Sequence, residues 1–260
     1  MVLGAVRLIV FGVDTVVTIL AAMLASLWDR DARLAFRVTQ WWAWLNLKLV
    51  GARVTIEGFD HLDPRRSYVF VSNHRSNLDV LALLAALWDF QLRWVAKEEL
   101  FRIPLFGWGL RATKQILVNR ADHAQAVASL AAAKQRMHDG ISVVFFPEGT
   151  RGGAGRMLPF KKGCFVFALE TGAPIVPIVI SGTERLLPRA AWTVQHGGDV
   201  RVAICPPIPT AGRSRDDRDA LLAEVRAVLE RSVERVDGRA VPAGAPGSVS
   251  PVGLRSPARP

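Results

Sequence analysis

The sequence predicts an α/β fold, with a mostly parallel central sheet flanked by helices and an N-terminal pair of membrane-associated helices. Beyond residue 50, short apolar segments rich in Val and Ile alternate with longer helical segments, which is typical of a sheet covered on both faces. The first 50 residues are more apolar than the rest. Half of the 260 residues are hydrophobic, so the chain is unlike a disordered one and is long enough to bury a core.

The N-terminal segment contains the longest apolar stretch of the chain. Over residues 8–28 only Asp14 is charged, and a helix of that length is about 31 Å long, enough to cross a bilayer. Residues 32–50 combine tryptophans with basic side chains, which favours the headgroup region of a membrane. The expected anchors are Trp41, Trp42 and Trp44. Two helices of a soluble core are the alternative, and spanning helices and helices within one leaflet both remain open.

The other elements follow from apolar patterning, with strands where β-branched and aromatic residues cluster and helices where apolar residues recur every three or four positions. The predicted strands are 53–57, 67–72, 92–96, 115–119, 142–146, 175–180 and 200–204. The predicted helices are 79–88, 122–137, 160–171 and 216–236, the last with Ser214 as N-cap. We therefore predict N-terminal helices over 1–50, an α/β domain over 51–236, and a disordered Pro/Gly-rich tail over 237–260.

Charge narrows the class of partner. The formal net charge of +10 predicts an anionic partner. The basic excess is concentrated in residues 93–120 and 151–162, which indicates a local anion site rather than the dispersed basic face that binds nucleic acid. Cys164 and Cys205 form no CxxC pair, and the sequence offers no convincing set of metal ligands. We therefore expect no nucleic-acid partner, no metal and no cofactor.

The first candidate for chemistry is the segment NHRSNLD at residues 73–79, directly after a predicted strand. Ligands of α/β proteins bind at the carboxyl ends of strands, and His74 lies at such an end. Asp79 falls in the first turn of the next helix, where it could turn back onto the imidazole ring. A carboxylate on one ring nitrogen leaves the other nitrogen as a base. From spacing alone, a loop histidine beside a helix-terminal aspartate remains an open alternative.

A second candidate is the segment FPEGTR at residues 146–151, again after an apolar strand. Gly149 and the glycines that follow allow the backbone to approach an anion, and Arg151 offers a forked donor for phosphate. The segment lacks the GxxxxGK[ST] pattern of nucleotide P-loops. A flexible surface loop is the alternative interpretation.

Together the two segments resemble the N-H-x-x-x-x-D and FPEGTR motifs of the glycerolipid acyltransferases, and the chain resembles the 1-acylglycerol-3-phosphate acyltransferase family. Two further blocks are similar and stand in family order, with KEEL to ILVNR over 97–120 and APIVPIVI over 173–180. The resemblance spans residues 50–210.

The resemblance implies transfer of a fatty acyl group from acyl-CoA or acyl-carrier protein to the free hydroxyl of 1-acylglycerol-3-phosphate, at a phospholipid membrane. It implies His74 as the general base and Asp79 as its partner. Because the substrate hydroxyl is then the nucleophile, Ser76 and Cys164 are not expected to be nucleophiles. Backbone N–H groups at the start of the Asp79 helix are the expected oxyanion donors. The implied substrate-binding residues are Asn73, Lys97, Arg120, Glu148, Gly149, Thr150 and Arg151.

Glu148 cannot bind phosphate directly, so we expect it to orient Arg151 or a substrate hydroxyl. The chain also departs from the family at three positions, where Lys114 replaces the usual Gly, Asn119 the usual Asp and Gly152 the usual Ser. These departures motivate an alternative acceptor, such as a lyso-ornithine lipid or a lysophospholipid. A non-enzymatic basic protein that binds membrane or nucleic acid is a distant alternative. We expect a location at the cytoplasmic face of the inner or plasma membrane.

Overall fold

The computed structural model describes residues 2–119, 123–137, 140–152, 157–191 and 193–238. The strands are β1 (Ala52–Glu57), β2 (Val69–Ser72), β3 (Gln91–Lys97), β4 (Ile116–Val118), β5 (Ile141–Phe145), β6 (Ile175–Ser181) and β7 (Gly198–Ile204). They form one sheet in the order β1-β7-β6-β2-β5-β3-β4. The five strands from β6 to β4 are parallel, whereas β7 is antiparallel to β6 and parallel to β1. The prediction of a mostly parallel sheet flanked by helices is confirmed.

Long and short helices cover this sheet. The helices are α1 (Val2–Ser26), α2 (Arg33–Leu49), α3 (Leu78–Ala86), α4 (Glu98–Phe101), α5 (Phe106–Ala112), α6 (His123–Met137), α7 (Gly163–Thr171), α8 (Thr183–Leu186) and α9 (Arg218–Gly238). The sequence does not predict α4, α5 and α8, because helices of four to seven residues are too short to show a repeating apolar face.

The two faces of the sheet carry separate hydrophobic cores. Successive side chains of a strand point to opposite faces, so Phe70 joins the core beneath α2 and α3, whereas Val69 and Val71 join the core beneath α6, α7 and α9. All three side chains are fully buried, which explains why β2 reads as an unbroken apolar run. Helices α2 and α3 therefore cover the same face of the sheet. This face also carries the N-terminal helical pair.

Helix α1 lies largely outside both cores. The window Ile9–Ser26 is long and apolar enough to cross a membrane, and only 11% of it is buried. The exposed apolar side chains of α1 include Ile9, Val13, Val17, Leu20 and Leu24. A core helix of a soluble protein is mostly buried, so this exposure favours the membrane-associated interpretation over the soluble-core alternative.

The tryptophans of α2 have different environments. The Trp41 side chain is 52% exposed, as expected for an anchor. Trp42 instead packs against Phe11 and donates a hydrogen bond of 3.1 Å to Thr15, so it fastens α2 to α1. Trp44 is partly buried and lies edge-on to Trp41. The three residues therefore differ in exposure and contacts, whereas the sequence suggested the same role for all of them.

One of the basic residues assigned to the anion site is structural. Arg93 of β3 is fully buried, donates hydrogen bonds to the carbonyl oxygens of Asp31 (2.6 Å) and Leu92 (2.8 Å), and lies over the ring of Phe36. Its charge joins the α1–α2 turn to the sheet. The local excess of charge in the sequence therefore overstates the charge available to a ligand.

The C-terminal helix is fixed at both ends. Ser214 and Asp217 form a capping box over a 3₁₀ turn that leads into α9, so the predicted cap is present one turn ahead of the helix. Helix α9 continues to Gly238, two residues past its predicted end, because Asp237 pairs with Arg75 at 2.9 Å and accepts a hydrogen bond from Ser181. The predicted tail from 237 thus begins inside the helix, and residues 239–260 lie outside the described residues.

The Arg75–Asp237 pair predicts a pH-dependent contribution to stability. Burial raises the pKa of Asp237, but hydrogen bonds from Arg75 and Ser181 outweigh burial and hold this pKa below its usual 3.8. A pKa lowered by folding adds stability above pH 3.8, and this stability is lost as the pH falls through the folded-state value. We expect Asp237→Asn to lower the thermal unfolding temperature at pH 7, and the difference from wild type to shrink below pH 3.8. Circular dichroism in detergent measures this, and an undiminished difference in acid would contradict it.

Candidate active site

The two motif segments meet at one edge of the sheet. NHRSNLD leaves the carboxyl end of β2, and FPEGTR begins as β5 ends. Because β2 and β5 are paired and parallel, both segments emerge side by side. This topology explains why two motifs distant in sequence form one site.

His74 and Asp79 lie within hydrogen-bond distance. Nδ1 of His74 is 2.9 Å from Oδ2 of Asp79, and the imidazole ring stacks on Phe146 with 4.0 Å between centroids. Asp79 is fully buried, whereas the His74 side chain is 16% exposed and lines a cavity. With the proton on Nδ1 and donated to the carboxylate, Nε2 keeps its lone pair. This arrangement leaves one ring nitrogen able to accept a proton.

The Asp79 carboxylate is held by further donors besides His74. The backbone N–H groups of Arg75 (2.7 Å) and Ser76 (2.9 Å) donate to Oδ2, and the hydroxyl of Thr183 donates to Oδ1. These two amides precede α3, so they are not the helix-start N–H groups expected to stabilise an oxyanion, and that expectation stays a prediction. Sequence reasoning also missed Thr183, because it lies in the turn after β6, outside the similar blocks.

The FPEGTR loop clamps the backbone of His74. Oε1 of Glu148 accepts a hydrogen bond of 3.0 Å from the His74 N–H, and the Gly152 N–H donates to the His74 carbonyl at 2.7 Å. Oε2 of Glu148 accepts from the Leu158 N–H at 3.0 Å. Glu148 is buried, so its observed contacts hold the His74 backbone in place, whereas the sequence suggested that it orients Arg151 or a substrate hydroxyl.

Gly152, a departure from the family, fits this clamp. A Cβ added at this position would lie 3.0 Å from Oε2 of Glu148, which is tight. Lys114, a second departure, has a positive φ of 52°, a conformation that favours the glycine usual there. Both departures therefore have local structural consequences.

Asn73 also supports the fold. Its side-chain amide exchanges two hydrogen bonds of 2.8 Å with the backbone N–H and carbonyl of Ile180, and it is buried. Asn73 thus ties the end of β2 to β6. These contacts make it a structural clamp, in contrast to the substrate-binding role that the resemblance implied.

A cavity of about 840 Å³ opens beside His74. Its polar lining includes His74, Lys97, Gly149, Thr150 and Arg151. Its apolar lining comes from α1, α2, α3 and α5 and includes Phe11, Ile19, Phe36, Leu81 and Phe106. Arg120 lies outside the described residues, so it is not among those placed at the cavity. The cavity suits a ligand with an anionic group and a long apolar part.

The basic side chains at this cavity differ in their surroundings. Lys97 is exposed at the end of β3. The Arg151 side chain is partly buried and donates a hydrogen bond of 3.3 Å to the carbonyl of Arg189. One donor group of Arg151 is thereby oriented by the protein, and the guanidinium has further donors for a ligand.

The thiols of the two cysteines and the hydroxyl of Ser76 are not activated as nucleophiles. Burial raises the pKa of the Cys164 thiol, and burial also raises that of Cys205. Ser76 donates its hydroxyl to the carbonyl of Leu187 at 2.8 Å.

Within the described ranges, no group of three or more His, Cys, Asp and Glu side chains has the arrangement of a metal site.

Comparison with known proteins identifies the relatives of this chain. The profile of the family described as Acyltransferase matches residues 53–181. The chain is 38% identical to a chloroplastic 1-acyl-sn-glycerol-3-phosphate acyltransferase of Brassica napus, over 60% of this chain and 45% of that protein. It is 35% identical to 1-acyl-sn-glycerol-3-phosphate acyltransferase alpha of Mus musculus, over 68% of this chain and 62% of that protein.

The fold has a solved counterpart. The crystal structure of the 1-acyl-sn-glycerophosphate acyltransferase PlsC from Thermotoga maritima covers 92% of this chain and 98% of its own, with a TM-score of 0.75 and 27% identity. The chain spans about half the length of the plant relatives that it matches. The matched profile, the named relatives and the shared architecture lead to one conclusion. The chain belongs to the 1-acylglycerol-3-phosphate acyltransferase family.

Proposed function

We propose that the protein transfers a fatty acyl group from an acyl thioester, acyl-CoA or acyl-carrier protein, to the free hydroxyl of 1-acylglycerol-3-phosphate. The observation that carries this proposal is the His74–Asp79 pair beside a cavity whose lining is mostly apolar. The names of the relatives support the acceptor. The site needs no acyl-enzyme, since the acceptor supplies its own nucleophile.

In the proposed reaction, Nε2 of His74 removes the proton from the acceptor hydroxyl as its oxygen attacks the thioester carbonyl. Asp79 stabilises the imidazolium that forms. The tetrahedral intermediate then collapses, the carbon–sulfur bond breaks, and the imidazolium returns the proton to the leaving thiolate. A new ester and a free thiol result, with no net consumption of protons and no metal or cofactor.

The cavity supports an amphiphilic acceptor. Lys97 and Arg151 share the lining with His74, so they are the proposed partners of the acceptor phosphate, with Gly149 and Thr150 beside them. The family assigns Arg120 to the same task. The apolar walls from α1, α2 and α3 suit fatty acyl chains.

Membrane association is part of the same proposal. The exposed apolar side chains of α1 would lie in lipid, and the cavity is lined by this same helix. Lipid substrates would therefore reach His74 from the membrane that holds the enzyme. We propose the cytoplasmic face, where acyl-CoA and acyl-carrier protein are available.

Replacement of the proposed base tests the mechanism. We expect His74→Ala to lower thiol release from acyl-CoA, with lysophosphatidate present, by on the order of 10²–10⁴-fold. His61→Ala is the matched control, because His61 lies beside Tyr68 and Pro174, at the opposite end of the sheet. Intact activity in His74→Ala, or an equal loss in both variants, would overturn the role of His74.

Acceptor choice is tested by a panel of lysolipids compared by turnover. We expect lysophosphatidate to be the preferred acceptor, since its phosphate monoester matches the cationic lining. The panel includes zwitterionic lysophospholipids and lyso-ornithine lipid, because Lys114, Asn119 and Gly152 depart from the family. Faster turnover of an acceptor without a phosphate monoester would show that the lysophosphatidate assignment is wrong.

Removal of the Arg151 charge tests the phosphate contact. A charge-assisted hydrogen bond contributes enough that Arg151→Gln should lower kcat/KM for lysophosphatidate by about 10- to 100-fold. The loss should be smaller for an acceptor without a phosphate monoester. Arg65→Gln is the control, since Arg65 is a solvent-exposed arginine that pairs with Asp63. Equal losses on both acceptors would contradict phosphate binding by Arg151.

A further inference from the structure

The turn between β6 and α8 makes a direct contact with the buried carboxylate of the site. Thr183, the first residue of α8, is fully buried, and its hydroxyl donates to Oδ1 of Asp79. The other carboxylate oxygen, Oδ2, accepts hydrogen bonds from the His74 ring and from the backbone N–H groups of Arg75 and Ser76. Thr183 therefore supplies the side-chain hydroxyl on the carboxylate oxygen that His74 does not use.

The backbone of the turn fixes this hydroxyl. Gly182 has a φ of +96°, and a Cβ added there would lie 2.0 Å from the carbonyl oxygen of Asp199 in β7. The Gly182 N–H donates to the Glu184 carboxylate at 3.0 Å, which braces the turn. Glycine is thus required next to Thr183, and the turn is held between two strands of the sheet. Strands β6 and β7 therefore fix the position of the Thr183 hydroxyl.

We propose that Thr183 is a positioning residue for the proposed acyl transfer, acting through Asp79 on His74. Its hydrogen bond stops rotation of the carboxylate and keeps Oδ2 aimed at Nδ1. It also withdraws charge from Oδ1, which would otherwise be a buried carboxylate oxygen with one fewer donor. The inference rests on the proposed function, because it assigns a task within that reaction.

Loss of this hydrogen bond should shift the pH dependence of activity in a predictable direction. Without the hydroxyl, negative charge on Asp79 is less well stabilised, so the carboxylate attracts a proton on His74 more strongly. Arg75 faces Asp79, pairs with Asp237 and lies 3.7 Å from Glu184. On the side of His74, Glu148 accepts a hydrogen bond from the His74 N–H, and Lys97 and Arg151 line the same cavity, and none of these contacts involves the Thr183 hydroxyl. Protonated His74 cannot act as a base. The acidic limb of the activity profile should therefore move to higher pH.

The test compares Thr183→Val, which replaces the hydroxyl by a methyl of similar size, with Thr183→Ser, which keeps it. We expect Thr183→Val to lower kcat by about 10- to 100-fold with little change in KM, and to shift the acidic limb of the kcat–pH profile upward. Thr183→Ser should keep the wild-type profile and most of kcat. If the valine variant does not fold, Thr183→Ala replaces it, and serine must exceed alanine by the same factor.

A buried threonine elsewhere provides the matched control. Thr210 is also buried, and its hydroxyl donates to the carbonyls of Ala168 and Ala173. Thr210→Val should lower the unfolding temperature yet leave kcat per folded enzyme and the pH profile unchanged. A general packing effect would instead reduce the amount of folded enzyme in both variants, with unchanged profiles.

The outcomes separate the inference from the proposed function. If wild-type enzyme transfers no acyl group, the proposed function fails and the inference fails with it. If wild type is active and His74→Ala is not, the function stands. The positioning role of Thr183 is then contradicted by a Thr183→Val variant with wild-type kcat and pH profile. It is also contradicted if Thr183→Ser loses as much kcat as Thr183→Val.

Discussion

A buried carboxylate organises this site. Asp79 is withdrawn from water, so its charge must be satisfied by the protein, and donors from the loop backbone, His74 and Thr183 provide this. The same contacts set the shape of the NHRSNLD loop. A substitution of Asp79 would therefore alter both the conformation of this loop and the position of the His74 imidazole ring.

Segments at the ends of neighbouring strands hold His74 and Asp79 in place. The FPEGTR loop after β5 holds both backbone groups of His74 through Glu148 and Gly152. Asn73 joins β2 to β6, and the turn after β6 brings Thr183 onto Asp79. Three adjacent parallel strands thus contribute to one reactive side chain. The N-terminal helices then cover the same side of the sheet and extend the polar site into an apolar cavity.

Much of the fold followed from the sequence, because strands such as β2 and β6 are continuous apolar runs and α9 has a periodic face. The short helices α4, α5 and α8 did not follow, since their bounds depend on tertiary contacts. Local spacing left the pairing of His74 with Asp79 open, and the family resemblance favoured it. The tasks of Glu148, Asn73 and Arg93 were not predictable, because a charged or polar residue reads alike in sequence whether it meets a ligand or a buried backbone group. Thr183 had no local signal, as its partner is distant in the chain.

The central claim is that an acceptor hydroxyl, activated by His74, attacks the thioester directly. The most direct measurement is a single-turnover reaction of the full chain in mixed micelles with acyl-CoA labelled in its acyl group, with and without lysophosphatidate. Thiol release should require the acceptor, and the label should pass into phosphatidate with none bound covalently to protein. Rapid thiol release without acceptor, accompanied by acylated protein, would contradict direct attack.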